Sequence, residues 1–253
     1  MTPYASELAF VRDALPEVYR IHGSLDQAEV MDKSAFDLVT QVDLRIEKEL
    51  IRRIRHAFPG DHILSEETLA ATPVTGRTWT IDPIDGTSNM AGGLPLYGVQ
   101  CALYDGEDIA VSAIYLPRLG ELYTAARGQG AHCNGQRIAV RPQDAEHSLI
   151  SFGDFPHARP EEAQEEFALM QRLMPRIARC RMFGSACIDF AFLAAGRTQG
   201  TILFTRNRWD LAPGLLMAQE AGAVIRSPEG AYTPESRAVI ACADEALWQM
   251  IRS

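Results

Sequence analysis

The first sixty residues of the chain place apolar and charged side chains with the period of a helix. The apolar residues of the first segment lie three or four positions apart: Leu8, Val11, Leu15 and Val18. That spacing predicts an amphipathic helix, and Pro16 is expected to kink or split it because proline removes a backbone hydrogen bond. A second helix is predicted by the same spacing in Val42, Ile46, Leu50, Ile54 and Phe58.

The middle of the chain has the pattern of strands separated by turns. Apolar runs at residues 97–104, 109–115, 121–125 and 136–140 are separated by Gly, Asp and Pro. Such runs with turn residues between them predict an antiparallel meander. Two shorter strands are expected before it, at residues 63–64 and 78–81.

The last hundred residues predict helices and strands in alternation. Helices are expected at residues 160–174, 186–195 and 209–221 and at the C-terminus. Strands are expected at residues 148–152, 180–183, 201–204, 223–225 and 239–242. Two helices, a meander and then alternating elements favour a layered α/β architecture with at least two sheets.

Composition narrows the class of protein. Hydrophobic residues make up 47% of the 253 residues, enough for a sizeable core, which excludes a disordered chain. The five cysteines are odd in number and none are spaced C-x-x-C, which excludes a disulfide scaffold and a zinc finger. No signal peptide or membrane span is visible, so we expect a cytoplasmic protein without a membrane partner. The formal net charge of −9 gives no reason to expect a nucleic-acid partner.

The most informative segment is the string Asp82-Pro-Ile-Asp85-Gly86-Thr87, directly after a predicted strand. A single Asp-Gly pair at such a place is commonly a turn or a helix cap. Two carboxylates three residues apart raise each other's pKa unless a cation holds them. Oxygen ligands of this kind suit Mg²⁺.

Three further acidic groups lie at the edges of predicted elements. They are Glu66-Glu67, the segment Asp37-Leu-Val-Thr40-Gln-Val-Asp43, and Trp209-Asp210. Taken singly, each has a structural interpretation: Asp43 and Asp210 could be helix N-caps, and the glutamates could form a solvated first turn. Taken together, four acidic clusters at element edges are typical of sites that bind several metal ions.

These segments, in this order and over almost the whole chain, resemble the inositol monophosphatase family. The turn Gly184-Ser185-Ala186 is similar to a Gly-Thr/Ser-Ala turn of that family. The resemblance implies an α-β-α-β-α sandwich, a homodimer, and a lithium-sensitive phosphatase that uses two to three Mg²⁺ ions. It suggests one phosphatase domain over 1–253, with an α+β half (about 1–145) and an α/β half (about 146–253).

The resemblance also implies a role for each matched residue. Glu66, Asp82 and the carbonyl of Ile84 would hold one Mg²⁺; Asp82, Asp85 and Asp210 would hold a second, and a third, weaker ion would lie near Glu66. The implied catalytic residues are Asp43, Glu66 and Thr87, with Asp43 and Thr87 orienting the attacking water. The implied substrate-binding residues are Asp85, Gly86, Thr87, Gly184, Ser185, Ala186, Asp210 and Arg206.

The implied activity is hydrolysis of a small phosphate monoester, inositol- or sugar-phosphate-like, by direct attack of a metal-activated water. Fructose 1,6-bisphosphate, 3′-phosphoadenosine phosphates and histidinol phosphate remain alternative substrates. A haloacid-dehalogenase-type phosphatase is excluded, because its two aspartates are two residues apart and Asp82 and Asp85 are three apart. A non-catalytic binding protein of the same fold is disfavoured, because every matched carboxylate is present.

One position departs from the family pattern. Inositol-specific members carry an acid six residues before the Trp of Trp-Asp, where this chain has Leu203. The following loop contains Arg206 and Arg208, which are either solvated surface charges or ligands of a second anionic group. We therefore expect an anionic ester to be preferred over inositol 1-phosphate.

Overall fold

The N-terminal region contains two helices and a small hairpin. The computed structural model describes residues 3–24, 30–34 and 37–253. Its first elements are Ala5–His22 (α1), Val30–Ser34 (β1), Asp37–Thr40 (β2) and Gln41–Ala57 (α2). The antiparallel hairpin of β1 and β2 is an element that the sequence pattern did not predict.

Helix α1 runs through Pro16 without a break, so the expectation that proline splits it is wrong. The cost of an internal proline is about 3 kcal/mol or more. Packing offsets it, because Val11, Leu15 and Val18 are fully buried. Burial of such side chains contributes about 1.5–3 kcal/mol each.

A seven-stranded sheet follows in sequence order. Its strands are His62–Ser65 (β3), Arg77–Asp85 (β4), Gly98–Asp105 (β5), Asp108–Leu116 (β6), Glu121–Ala126 (β7), Ala131–Cys133 (β8) and Gln136–Ile138 (β9). Strands β3 and β4 are parallel and all other neighbours are antiparallel. The predicted meander is thus confirmed. A short helix, Thr87–Ala91 (α3), lies between β4 and β5.

The C-terminal region forms a six-stranded mixed sheet with four helices. The elements are Leu149–Phe152 (β10), Pro160–Leu173 (α4), Arg179–Met182 (β11), Ala186–Ala194 (α5), Gly200–Leu203 (β12), Arg208–Glu220 (α6), Val224–Ser227 (β13), Gly230–Ala231 (β14), Val239–Cys242 (β15) and Glu245–Arg252 (α7). The strand order is β11-β10-β12-β15-β13-β14. The predicted alternation is confirmed. The new elements are the two-residue β14 and two short 3₁₀ helices, Ala145–His147 and Met174–Arg176.

Apolar contacts stack these elements in five layers. Helices α1 and α2 bury their apolar faces against the seven-stranded sheet around Trp79 and Ile81. Helices α5 and α6 lie between the sheets, with Ile188 against one sheet and Phe190 against the other. Helices α4 and α7 cover the outer face of the six-stranded sheet around Trp248. The α-β-α-β-α sandwich is therefore confirmed.

The packing of α5 against α6 requires a glycine. A Cβ atom at Gly214 would lie 1.9 Å from the Phe190 ring, so only glycine allows these helices to approach so closely. Since α5 and α6 contact both sheets, we retain the prediction of one domain with halves that meet near residue 145. Within the described residues, the helices are too short or too polar to cross a bilayer.

Candidate active site

Strand β4 ends in a bulge that carries the two central aspartates. Asp82 pairs with Gln100 and Asp85 pairs with Gly98, and the register shifts between these pairs. Strand β4 therefore has one residue more than β5 in this interval, which increases the local twist and redirects side chains. Pro83 suits a bulge because it has no N–H to donate to a sheet ladder.

Gly86 turns the chain from this bulge into helix α3. Its φ of 91° lies in the left-handed region, which favours glycine. A Cβ atom there would also lie 3.0 Å from the Leu96 carbonyl oxygen and 3.1 Å from Ser185 Cβ. The predicted phosphate-binding amides of Gly86 and Thr87 thus lie at the start of α3.

Asp43 and Thr87 are hydrogen-bonded to each other. The family resemblance implied that these two residues orient the attacking water. The Thr87 hydroxyl lies 3.1 Å from Asp43 Oδ1 and 2.9 Å from the Ile84 carbonyl oxygen. The N-cap of α2 is Thr40, and Asp43 completes a capping box by accepting the Thr40 N–H at 2.9 Å. The alternative that Asp43 is itself the N-cap is therefore wrong. Asp43 is the N3 residue of the capping box: its Oδ2 accepts from Thr40, and its Oδ1 accepts from Thr87.

Asp82 lies at the centre of the acidic groups. It is 1% exposed, and burial raises its pKa well above the usual range, with further increases from Glu66, Asp85 and Asp210. Gln100 donates to Oδ2 at 3.3 Å, whereas Oδ1 has no hydrogen-bond partner among the described residues. A buried carboxylate with these neighbours requires a proton or a cation.

Glu66 reaches this centre because β3 runs parallel to β4. Its backbone N–H donates to the Ile81 carbonyl at 3.2 Å, directly before Asp82. The buried carboxylate of Glu47 holds the segment after β3, accepting the Glu67 N–H at 2.9 Å and the Thr68 hydroxyl. The sequence pattern assigned Glu47 only to the helix; its partners could be found only in the structure.

Asp85 connects the bulge to the start of α5, about one hundred residues along the chain. Its carboxylate accepts from the Ser185 hydroxyl at 3.1 Å, the Ala186 N–H at 3.2 Å and the Cys187 N–H. Burial raises the pKa of Asp85, and these hydrogen bonds oppose the rise. The turn Gly184-Ser185-Ala186 therefore lies beside Asp85, as the resemblance implied.

Asp210 lies in the first turn of α6. The N-cap is Asn207, so the alternative that Asp210 is the cap is wrong. The Thr205 hydroxyl donates to Asp210 Oδ2 at 3.0 Å. Asp210 is near enough to Asp82 to raise its pKa, which places the fourth acidic group at the same site. The side chain of Asp37 lies outside the described residues.

The chemistry of this site fits Mg²⁺. Four carboxylates converge, all potential ligands are oxygens, and one buried oxygen of Asp82 is unpartnered; hard cations prefer such ligands. In the part of the chain that the structure describes, no three His, Cys, Asp or Glu side chains close into a cage around an ion. Oxygens of Asp85 and Asp210 accept hydrogen bonds from protein donors instead.

A cavity of about 650 Å³ opens beside Asp85 and Asp210 and extends to the loop after β10. Leu203, which stands where inositol-specific members have an acid, is part of its wall. Arg206 is not among its lining residues, and its guanidinium forms a two-bond ion pair with Glu162 at 2.6 and 3.1 Å.

Arg208 also lies away from this cavity. Its guanidinium is 5.8 Å from the centre of the Tyr104 ring, in a second cavity on the other side of α6. The arginine that does line the first cavity is Arg159, which the sequence pattern did not single out. Its guanidinium donates to Glu162 at 2.6 Å and to the Phe204 carbonyl at 2.9 Å.

Asn89 is another residue that sequence reasoning missed. Its side-chain amide donates to the carbonyls of Leu96 and Phe183, each at 2.7 Å, and so ties α3 to the segment before Gly184. Asn89 lies four residues after Asp85 on the same turn and helix, and this proximity to the acidic string is the signal that could have drawn attention to it.

The fold and the convergent acids define the class of protein: a phosphatase on a five-layered α/β sandwich. The profile of the Inositol monophosphatase family matches residues 4–253, and the chain belongs to this family. It is 36% identical over 205 residues to Nus factor SuhB of Haemophilus influenzae, covering 79% of this chain and 75% of that protein. It is 31% identical to an inositol-1-monophosphatase of Rhizobium meliloti, covering 92% and 88%. The solved structure of a Thermotoga maritima IMPase matches with a TM-score of 0.86 at 28% identity, covering 98% and 96%.

Proposed function

We propose that this enzyme is a Mg²⁺-dependent phosphomonoesterase that hydrolyses a small phosphorylated metabolite by direct attack of water. The observation that carries the proposal is the convergence of Glu66, Asp85 and Asp210 on Asp82, beside the hydrogen-bonded pair of Asp43 and Thr87. Phosphate monoesters repel nucleophiles through their own negative charge. A site that concentrates oxygen ligands for cations therefore suits this reaction.

Glu66, Asp82, Asp85, Asp210 and the Ile84 carbonyl would hold two to three Mg²⁺ ions, as the family resemblance implies. When bound, these ions would supply charge neutralisation of the phosphate and a water molecule with a lowered pKa. The protein's own contribution begins with position, because the bulge in β4 and the parallel pairing of β3 with β4 bring the ligands to one place.

Asp43 and Thr87 would orient the water and accept its proton. The Thr87 hydroxyl has one hydrogen, which it shares between the Asp43 and Ile84 acceptors, so its lone pairs remain available to the water. Burial raises the pKa of Asp43, although hydrogen bonds from Thr40 and Thr87 oppose the rise. A carboxylate of raised pKa is a better proton acceptor near neutral pH.

The phosphate oxygens would bind at the start of α3. The N–H groups of Gly86 and Thr87 begin that helix, where backbone donors and the helix dipole favour an anion. Asp85, Gly184, Ser185, Ala186 and Asp210 would contact the rest of the ester, since the cavity lies against them. Arg206 remains a proposed substrate contact only if its guanidinium leaves Glu162.

Inositol phosphates and sugar phosphates are our first candidates for the substrate. Fructose 1,6-bisphosphate, 3′-phosphoadenosine phosphates and histidinol phosphate are the alternatives. A location in the cytoplasm, a homodimer and inhibition by lithium stay predictions.

The similarity to a protein named Nus factor favours one second candidate, a non-enzymatic role in a complex with other macromolecules. The complete set of acidic residues argues for catalysis, because a purely binding protein has no need of four acids that converge on one buried carboxylate. The net charge of −9 also opposes a general nucleic-acid surface.

The test is phosphate release from a panel of these esters with Mg²⁺, with and without excess EDTA. We expect turnover of at least one ester and loss of that turnover with EDTA. Full activity in metal-free buffer would contradict the proposed cofactor. No release from any ester with Mg²⁺ would favour the non-enzymatic role.

A further inference from the structure

Two carboxyl groups that the proposed mechanism does not use are buried beside the reaction cavity. Glu166 on α4 and Asp189 on α5 are both 0% exposed. None of their four carboxyl oxygens has a hydrogen-bond partner of good geometry among the described residues, although Gly153 and Ser151 lie close enough to lower the pKa values of Glu166 and Asp189 slightly. A buried carboxyl without a partner costs free energy, and its persistence calls for an explanation.

The two groups and Asp154 form one region rich in carboxyl groups, which we call the acidic subsite. Burial and, to a smaller extent, the neighbouring charge of Asp154 together raise the pKa of Glu166 to about 8. Burial likewise raises the pKa of Asp189 well above its usual range, and Asp85, Asp154 and Glu166 add to the rise. Mutual repulsion of this kind shows that the three groups share one environment.

The acidic subsite borders the cavity. Asp189 and the exposed Asp154 are among its lining residues, together with Gly153. Glu166 lies directly behind Gly153, since a Cβ atom at that glycine would be 3.8 Å from Glu166 Oε1. The subsite therefore adjoins the space that the leaving group of a phosphate ester would fill.

Among the described residues, the arginine that lines the cavity is already paired. Arg159 lines the same cavity, but its guanidinium is bonded to Glu162 and to the Phe204 carbonyl. His157 is exposed, also in the lining. Two Mg²⁺ ions would be balanced by the four carboxylates of Glu66, Asp82, Asp85 and Asp210, so they would bring no positive charge to the acidic subsite. There Asp154 is the exposed carboxylate, and Glu166 and Asp189, whose pKa values are raised, release their protons when a cation binds beside them.

A protonated amine would supply the hydrogen-bond donors and the positive charge that this subsite lacks. An ammonium group has three N–H donors and one positive charge, and its hydrogen bonds to carboxylates are stronger than those of a neutral hydroxyl. An anionic substituent at the same place is repelled. A cationic substituent differs from the anionic ester expected from the sequence, which was argued from Arg206 and Arg208, two arginines outside the lining of this cavity.

We propose that the preferred phosphate ester carries a protonated amine on its leaving alcohol, and that Asp154, Glu166 and Asp189 select it. This inference rests on the proposed phosphatase function.

The experiment compares kcat/KM for two pairs of esters that differ only in an amine or a hydroxyl. The pairs are 2-aminoethyl with 2-hydroxyethyl phosphate and 4-aminobutyl with 4-hydroxybutyl phosphate, with Mg²⁺ at pH 8, where alkyl amines stay protonated. We expect the amine to be preferred about ten- to a hundredfold in at least one pair, the size of a charge-assisted hydrogen bond. A ratio at or below one in both pairs overturns the inference.

Variants assign the preference to the acidic subsite. Asp189→Asn, Glu166→Gln and Asp154→Asn should each lower the amine-to-hydroxyl ratio, whereas Asp144→Asn, an exposed carboxylate outside the cavity, should leave it unchanged. The amine-to-hydroxyl ratio of kcat/KM does not depend on the fraction of enzyme that is folded. Asp154 is exposed, so Asp154→Asn still tests the subsite if a variant at a buried position folds poorly. A ratio that none of the three variants lowers overturns the inference.

A fifth ester, inositol 1-phosphate, distinguishes a failure of the proposed amine preference from a failure of the proposed phosphatase function. Its hydrolysis without any amine preference rejects only the acidic subsite. No phosphate release from any of the five esters rejects the phosphatase itself.

Discussion

At the scale of single residues, the candidate site depends on Asp82. This carboxylate is almost fully buried, has one unpartnered oxygen, and is raised in pKa by three neighbouring acids. Because Glu66, Asp85 and Asp210 all raise its pKa, Asp82 is the bridging ligand in our proposal. Removing its charge while keeping its shape tests that role directly.

We predict that Asp82→Asn lowers kcat by at least about a thousandfold and leaves the far-ultraviolet circular dichroism unchanged. The reason is that the amide is neutral and a poorer ligand for a hard cation. The measurement is steady-state phosphate release with Mg²⁺. Asp105→Asn, an exposed aspartate at the end of β5, is the control, and wild-type turnover by Asp82→Asn would contradict the bridging role.

Glu166 gives a residue-scale prediction about stability and pH. Its pKa is about 8 in the folded protein against an ordinary value of 4.5, so between these values the unfolded chain binds fewer protons than the folded one. Wild-type stability should therefore fall as pH rises from about 5 to 8, by at most about 1.4 kcal/mol per pH unit from this group. In Glu166→Gln this contribution is absent.

The measurement for Glu166 is urea unfolding of wild type and Glu166→Gln at pH 5, 6, 7 and 8. The free energy of unfolding of the variant relative to wild type should increase with pH. A difference that stays constant over this range would show that Glu166 keeps an ordinary pKa.

At the scale of elements, the turn from β4 into α3 determines the geometry. The bulge, Gly86 and the five-residue helix place Asp85, the Ile84 carbonyl and Thr87 within one short segment. Local rules predicted a turn here, because Asp-Gly is a strong turn signal. They did not predict the bulge, which depends on pairing with β5.

We predict that Gly86→Ala both destabilises the protein and abolishes most of its activity. The alanine must adopt a left-handed φ, which costs about 1–2 kcal/mol, and its Cβ would press on the Leu96 carbonyl at 3.0 Å. The matched control is Gly93→Ala, with a φ of 75° and no atom within 4 Å of the added Cβ. Urea unfolding should show a similar loss of stability in Gly86→Ala and Gly93→Ala. Measurement of kcat should show a loss of turnover in Gly86→Ala alone.

At the scale of the whole molecule, two sheets and the helices between them bring the site together. The seven-stranded sheet carries Glu66, Asp82 and Asp85, whereas Ser185 and Asp210 belong to α5 and α6 between the sheets. A cation bound to this site would link both halves of the chain. Its binding should therefore stabilise the whole fold.

We predict that Mg²⁺ raises the melting temperature and that EDTA reverses the rise. Ligand at one hundred times its Kd stabilises by about 2.7 kcal/mol, which for a chain of this size corresponds to roughly 5–10 °C. The measurement is thermal unfolding of metal-free protein titrated with Mg²⁺. An equal rise in Asp82→Asn would show that the ion binds elsewhere.

The sequence by itself determined most elements and the chemistry of the site. Helix and strand periods extend over a few residues, so α2, the meander and the C-terminal alternation could be predicted from local patterns. The string from Asp82 to Thr87 predicts a cation site, because its charges are adjacent in the chain. The family, and with it the five layers, followed from such strings taken in order.

Only the tertiary structure decided which distant groups meet. Asp43 and Thr87 are 44 residues apart, and Asp85 and Ser185 are 100 apart; their contacts arise from the stacking of layers, which no local period encodes. The pairing of charges also depends on the tertiary structure. Arg206 forms an ion pair with Glu162 on α4, which lies 44 residues before it in the chain. The burial of Glu166 and Asp189 could not be predicted from the sequence either. Acidic residues are usually exposed, and only the packing of neighbouring elements shows that these two are buried.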